Sequence, residues 1–160
     1  LCAKRAVGND PFAVLLADDF IVSEEKGVTS DLVSAFEKNT KIQLSVMEIF
    51  GSEISNYGVV QYNPINGKVE GLVEKPEENL APSNSASIGR YVLTAEIFDI
   101  LENQTVGKGG EIQLADAINI LAKENKVETV KLKGNRFDCG SVKGYLAGIN
   151  FVANKLKINN

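Results

Sequence analysis

From Phe12 to Ala17 the chain is unbroken apolar, a run of strand length that stops on two adjacent carboxylates, Asp18 and Asp19. Such a run predicts a strand covered on both faces, near the middle of a sheet. The next periodic segment, "TSDLVSAFEKNT", sets Leu32 and Phe36 four apart and predicts a helix lying on that sheet, with Thr29 or Ser30 as its N-cap. In "KIQLSVMEI" the period changes to two, Ile42, Leu44 and Val46 alternating with Gln43 and Ser45, which marks a strand. "YGVVQYNPINGKVEGLVEKP" holds two β-rich runs around Pro64 and an Asn66-Gly67 pair, and predicts a hairpin.

Polarity rises in "PEENLAPSNSAS", a predicted surface loop with two of the four prolines. "IGRYVLT" returns to strand. "AEIFDILENQ" and "EIQLADAINILAKEN" predict helices, the second with Leu114, Ile118 and Leu121 at helical spacing, and the glycine-rich "VGKGG" separates them. "VETVKLKG" reads as a strand and "RFDCG" as a short strand end. In "SVKGYLAGINFVANKLK", Tyr145, Ile149, Val152 and Leu156 form one apolar stripe of a last helix. The opening "LCAKRAVG" resembles the final turns of a helix stopped at Gly8, and without an initiator Met the chain is expected to be a piece of something longer. Strands alternating with helices predict an α/β fold: a mainly parallel sheet with helices on both faces, the hairpin inserted as a local antiparallel addition.

Composition narrows the chemistry. With 160 residues the chain suits one domain with a sizeable core. The 44% hydrophobic and 24% charged content is ordinary for a soluble protein, and no apolar run reaches membrane-spanning length or resembles a secretory signal. A cytoplasmic protein with no membrane partner is expected. The net charge of −4 and the scattered lysines argue against a grip on nucleic acid and for a small-molecule partner. Two cysteines, Cys2 and Cys139, are too few for a disulfide framework or thiolate metal site, and the absence of histidine excludes His-based triads. Carboxylates, lysines and backbone amides remain.

In open α/β sheets ligands bind at the carboxyl ends of strands, where Asp18 falls. Mg²⁺ is commonly held by one or two carboxylates plus phosphate oxygens, so Asp18 and the Asp138 of "FDCG" are candidate ligands. From pattern alone the favoured reading of the same aspartates is as caps and turn residues. Glu74 could accept hydrogen bonds from sugar hydroxyls while Lys75 neutralises phosphate, although the pair by itself reads first as a solvated strand end. "VGKGGE" matches neither G-x-x-x-x-G-K-[ST] nor G-x-G-x-x-G and reads as a flexible loop. Cys139 reads as a packing residue.

Taken in order, "FAVLLADD", "NYGVVQY", "GLVEKP", "APSNSASIGRYVL", "GGEIQLADAI" and "FDCGSVKGY" closely resemble the bacterial UTP–glucose-1-phosphate uridylyltransferase family, the UDP-glucose pyrophosphorylases. The likeness runs over nearly the whole chain. It implies a Rossmann-like nucleotidyltransferase sheet and Mg²⁺-dependent, in-line formation of UDP-glucose and pyrophosphate from UTP and glucose 1-phosphate. It further implies that Asp18 and Asp138 hold Mg²⁺, with Asp19 the weaker candidate, that Lys75 meets the phosphate of glucose 1-phosphate, and that Glu74 binds glucose hydroxyls. Gly58 and Gly89 would let backbone approach the sugar. Glu111 and Gln113 fall in the family's signature helix without an assigned role. The family's N-terminal glycine-rich loop, which cradles the nucleotide, has no counterpart here. Residues 1–160 are therefore expected to be a partial nucleotidyltransferase domain, the sugar-phosphate part, inactive alone, from a full-length enzyme that is a homo-oligomer. The competing readings are a non-catalytic sugar-phosphate-binding or regulatory module and a nucleotidyltransferase for another sugar or base.

Overall fold

The computed structural model describes residues 1–23, 26–105 and 112–157. A short helix, α1 (Lys4–Val7), ends at Gly8, whose φ of 65° is a left-handed stop. It leads into β1 (Phe12–Leu15), a turn through Asp18, and β2 (Asp19–Ser23). Helix α2 (Val28–Asn39) follows, starting after Gly27 and not at the expected Thr29 or Ser30. Then come β3 (Ile42–Glu48), a 3₁₀ turn over Gly51–Asn56, and the hairpin β4 (Gly58–Tyr62) and β5 (Val69–Glu74). The hairpin tip is made as the sequence predicts: Asn63 Oδ1 accepts from the Ile65 and Asn66 amides, and Gly67 takes φ 70°.

Strand β6 (Ser85–Leu93) begins earlier than expected, because Ser85 to Ser87 pair with β3 instead of remaining in the loop. The remaining elements are α3 (Glu96–Asn103), α4 (Leu114–Lys123), β7 (Val127–Lys131), β8 (Gly134–Asp138) and α5 (Val142–Lys155).

The main sheet runs β5-β4-β6-β3-β7, with β1 also paired to β6, and β2 with β8 forms a separate ribbon. Its pairing is mixed, where a mainly parallel sheet was expected. Strand β3 is parallel to β7, while β1·β6, β3·β6, β4·β5 and β4·β6 are antiparallel. Helices cover both faces as expected: α3 and α4 bury Ile97, Phe98, Ala117, Ile118 and Leu121 against Ile42, Leu44 and Val46, and α2 buries Val28 and Leu32 against Val92. Burying side chains of this size contributes about 1.5–3 kcal/mol each before chain entropy opposes it.

Two expectations of burial fail. The all-apolar β1 has only β6 as a partner among the described residues, and Leu15 is 55% exposed. It is β3, the alternating strand, that is covered on both faces, with Gln43 and Ser45 also buried. In α5 the expected stripe lies largely outside, Tyr145, Ile149 and Leu156 being exposed. Gly148 and Phe151 face inward instead, Gly148 against the rings of Phe20 and Phe137 and Phe151 5.1 Å from the Phe137 ring. Among the described residues no helix is long and apolar enough to cross a membrane, and both cysteines are free.

Candidate active site

A cavity of about 500 Å³ opens between the β2·β8 ribbon, the β4·β5 hairpin, β6 and the start of α4. Asp18, Gly58, Glu74, Gly89, Gln113 and Asp138 all line it, though they are scattered along the chain. Lys75 stands apart: it is exposed, lies off the cavity wall, and takes φ 45° immediately after Glu74. Its amide donates to Tyr57 O at 3.0 Å, closing the hairpin's open end. Glu111 and the "VGKGG" stretch lie outside the described residues.

The ribbon explains why Asp18 and Asp138 meet. Its antiparallel register sets Asp19 opposite Asp138, and the Cys139 amide donates to Asp18 O at 2.7 Å. A Cβ built on Gly140 would lie 3.1 Å from both Asp18 Oδ2 and Asp138 Oδ1, so the two carboxylates converge on one point. No cluster of three or more metal-ligating side chains occurs among the described residues. Two carboxylates with room for phosphate oxygens is the donor set that suits Mg²⁺, which keeps substrate and water in its shell. The pair fits that ion.

Asp19 does something else. Its carboxylate is buried, accepts the Gly89 amide at 2.5 Å, and pairs with the Arg136 guanidinium through Nε, at 2.5 Å, and Nη2. Arg136 also donates to the Tyr57 hydroxyl at 2.8 Å. Burial disfavours the Arg136 charge, but the hydrogen bond and charge of Asp19 outweigh it and hold the guanidinium above its ordinary pKa. Arg90 donates to the carbonyls of Leu16, Asp19 and Gly89, fixing the turn that presents Asp18. Burial raises the Tyr91 phenol above its ordinary pKa, the charges of Asp19 and Glu74 add to this, and Ser87 opposes it. Tyr91 therefore stays neutral on the cavity wall.

On the hairpin side, a Cβ at Gly58 would lie 3.0 Å from Glu74 Oε2, and one at Gly89 would lie 2.6 Å from Asp19 Oδ2. At both glycines a carboxylate already fills the space a side chain would need, so the close approach to these backbones is made by Glu74 and Asp19. Arg136, Tyr57 and Tyr91 escaped the sequence reading. A signal existed for Arg136, since strand alternation puts it on the same face as Asp138 two residues on.

A family model described as nucleotidyl transferase matches residues 1–155. The UTP–glucose-1-phosphate uridylyltransferase of Pseudomonas aeruginosa is 43% identical over 155 residues, 94% of this chain and 56% of that protein. The enzyme of that name from Streptococcus pyogenes is 43% identical over 153 residues, 91% of this chain and 50% of that protein. A solved UDP-glucose pyrophosphorylase complexed with UDP-glucose shares the fold with a TM-score of 0.88 and 38% identity, over 96% of this chain and 60% of that one. The chain spans about half the length of the curated relatives it matches. Fold, motif order and a match running from residue 1 to 155 agree, and the chain belongs to the nucleotidyl transferase family, where its relatives are UTP–glucose-1-phosphate uridylyltransferases.

Proposed function

We propose that this chain supplies the sugar-phosphate half of a UTP–glucose-1-phosphate uridylyltransferase, which forms UDP-glucose and pyrophosphate. The carrying observation is one cavity that has the converging Asp18 and Asp138 on the ribbon wall and Glu74 beside Gly58 on the hairpin wall. The names of the relatives give the reaction.

In that reaction a phosphate oxygen of glucose 1-phosphate attacks the α-phosphorus of UTP in line, a new P–O bond forms, and pyrophosphate leaves with the bonding electrons. Both reactants are anionic, so catalysis is a matter of alignment and charge neutralisation. Asp18 and Asp138 would hold Mg²⁺, which neutralises phosphate charge when bound. Glu74 accepts hydrogen bonds from glucose hydroxyls, and Gly58 and Gly89, which line the same cavity, present backbone to the sugar. Lys75, next to Glu74 in sequence and carrying its ammonium on a flexible stem, would neutralise the sugar phosphate in ground and transition states. No covalent nucleophile is required. On the same reading the enzyme is a cytoplasmic homo-oligomer, and UTP turnover belongs to a longer protein containing these 160 residues, since they match no phosphate-cradling glycine motif.

The test is UDP-glucose formation by the intact protein from UTP, glucose 1-phosphate and Mg²⁺, followed through pyrophosphate release. Turnover that Asp138→Asn abolishes, together with weakened Mn²⁺ binding by that variant in a calorimetric titration, supports the proposal. An intact protein that makes no UDP-glucose, or an Asp138→Asn variant with unchanged Mn²⁺ affinity, refutes it.

A further inference from the structure

We infer that Asn119, on α4, is a positioning residue for sugar recognition that acts through the free edge of β5. Strand β5 is outermost in the sheet among the described residues, and an edge strand leaves a row of main-chain donors and acceptors without strand partners. Here one side chain takes the place of a neighbouring strand. Asn119 Oδ1 accepts from the Leu72 amide at 2.5 Å, and Nδ2 donates to Leu72 O at 3.1 Å. A carboxamide can do this because it carries a donor and an acceptor side by side, the same pair that a residue of an antiparallel ladder presents. The strand makes room for it: a Cβ on Gly71 would lie 2.9 Å from Asn119 Oδ1.

The clamp bears on the cavity through strand geometry. Leu72 and Glu74, two residues apart, stand on the same face of β5, and both line the cavity. Helix α4 supplies Leu114, Ala115 and Ile118 to the same cavity. Asn119 therefore locks the strand carrying Glu74 to the helix that forms another wall, and the spacing between them sets which hydroxyls Glu74 reaches. This inference rests on the proposed sugar-phosphate role of the cavity and names a determinant of its selectivity.

The experiment is calorimetric binding to the intact protein with glucose 1-phosphate, galactose 1-phosphate, inorganic phosphate and Mn²⁺ as probes, for Asn119→Leu, Gly71→Ala and the double variant. Each single substitution is expected to weaken glucose 1-phosphate binding by about tenfold, within the range for a residue that acts on a ligand through its neighbours. It should also narrow the preference over galactose 1-phosphate while leaving inorganic phosphate and Mn²⁺ binding unchanged. The double variant should be no worse than the weaker single one, because both break one contact. Unchanged glucose 1-phosphate affinity in folded Gly71→Ala overturns the inference, and so does a parallel loss of all four ligands with a lowered melting midpoint. If the unsubstituted protein binds glucose 1-phosphate no better than inorganic phosphate, the sugar-phosphate role itself falls and the inference falls with it.

Discussion

Asp18 and Asp19 are neighbours with the same side chain, and the structure assigns them opposite work. The perturbation is the isosteric pair Asp18→Asn and Asp19→Asn. The Asp19 side chain is 4% exposed and that of Arg136 11%, so the ion pair between them is buried. Replacing the carboxylate removes its charge beside the guanidinium and turns an amide N–H toward either Arg136 or the Gly89 amide. Breaking one side of a buried pair costs about 3–5 kcal/mol. At 2–4 °C per kcal/mol for a domain of this size, the melting midpoint should fall by roughly 6–20 °C. Asp18 is exposed, and its main-chain carbonyl, which accepts from Cys139, is untouched by the substitution. Its stability change should stay within about 0.5 kcal/mol. Urea denaturation measures both stability changes, and Mn²⁺ titration measures the metal affinity of each variant. Asp18→Asn should lose Mn²⁺ affinity at full stability, and folded Asp19→Asn should lose stability out of proportion to Mn²⁺ affinity. Equal stability losses, or an Asp19→Asn cost below about 1 kcal/mol, would show that the buried-pair argument is wrong.

Lys75 pays for a left-handed backbone at φ 45°, so Lys75→Gly should raise stability by about 1 kcal/mol in urea denaturation while weakening glucose 1-phosphate binding; a loss of stability would contradict the strain. Gly89→Ala would bring a methyl to 2.6 Å from Asp19 Oδ2 and Leu16 Cβ, and should cost about 1–3 kcal/mol along with glucose 1-phosphate affinity, whereas a neutral outcome would mean that the turn yields freely. The folded Tyr91 pKa lies above its unfolded value, so the unfolded chain sheds that proton first: its contribution is complete below about pH 10 and is lost as pH rises toward the folded value. Tyr91→Phe should therefore flatten the alkaline fall of the melting midpoint, and identical pH profiles for the two proteins would remove Tyr91 from that account.

Element order, the hairpin turn at Asn66-Gly67 and the helices on both faces were legible because each follows from local chemistry: period, turn residue or the covered face of a helix. The motif order likewise carries the family likeness. The sequence could not rank the burial of strands. Phe12 to Leu15 looks more buried than Ile42 to Glu48, yet β3 lies between β6 and β7 under α2 while β1 pairs with β6 alone among the described residues. Burial on both faces depends on neighbours from distant parts of the chain, and residue type does not specify them. The site follows the same division. Its residue types were readable, but that Asp18 converges with Asp138 while Asp19 turns inward to Gly89 and Arg136 depends on the ribbon register. An antiparallel register joins positions more than a hundred residues apart, and a slip of one would exchange the two faces.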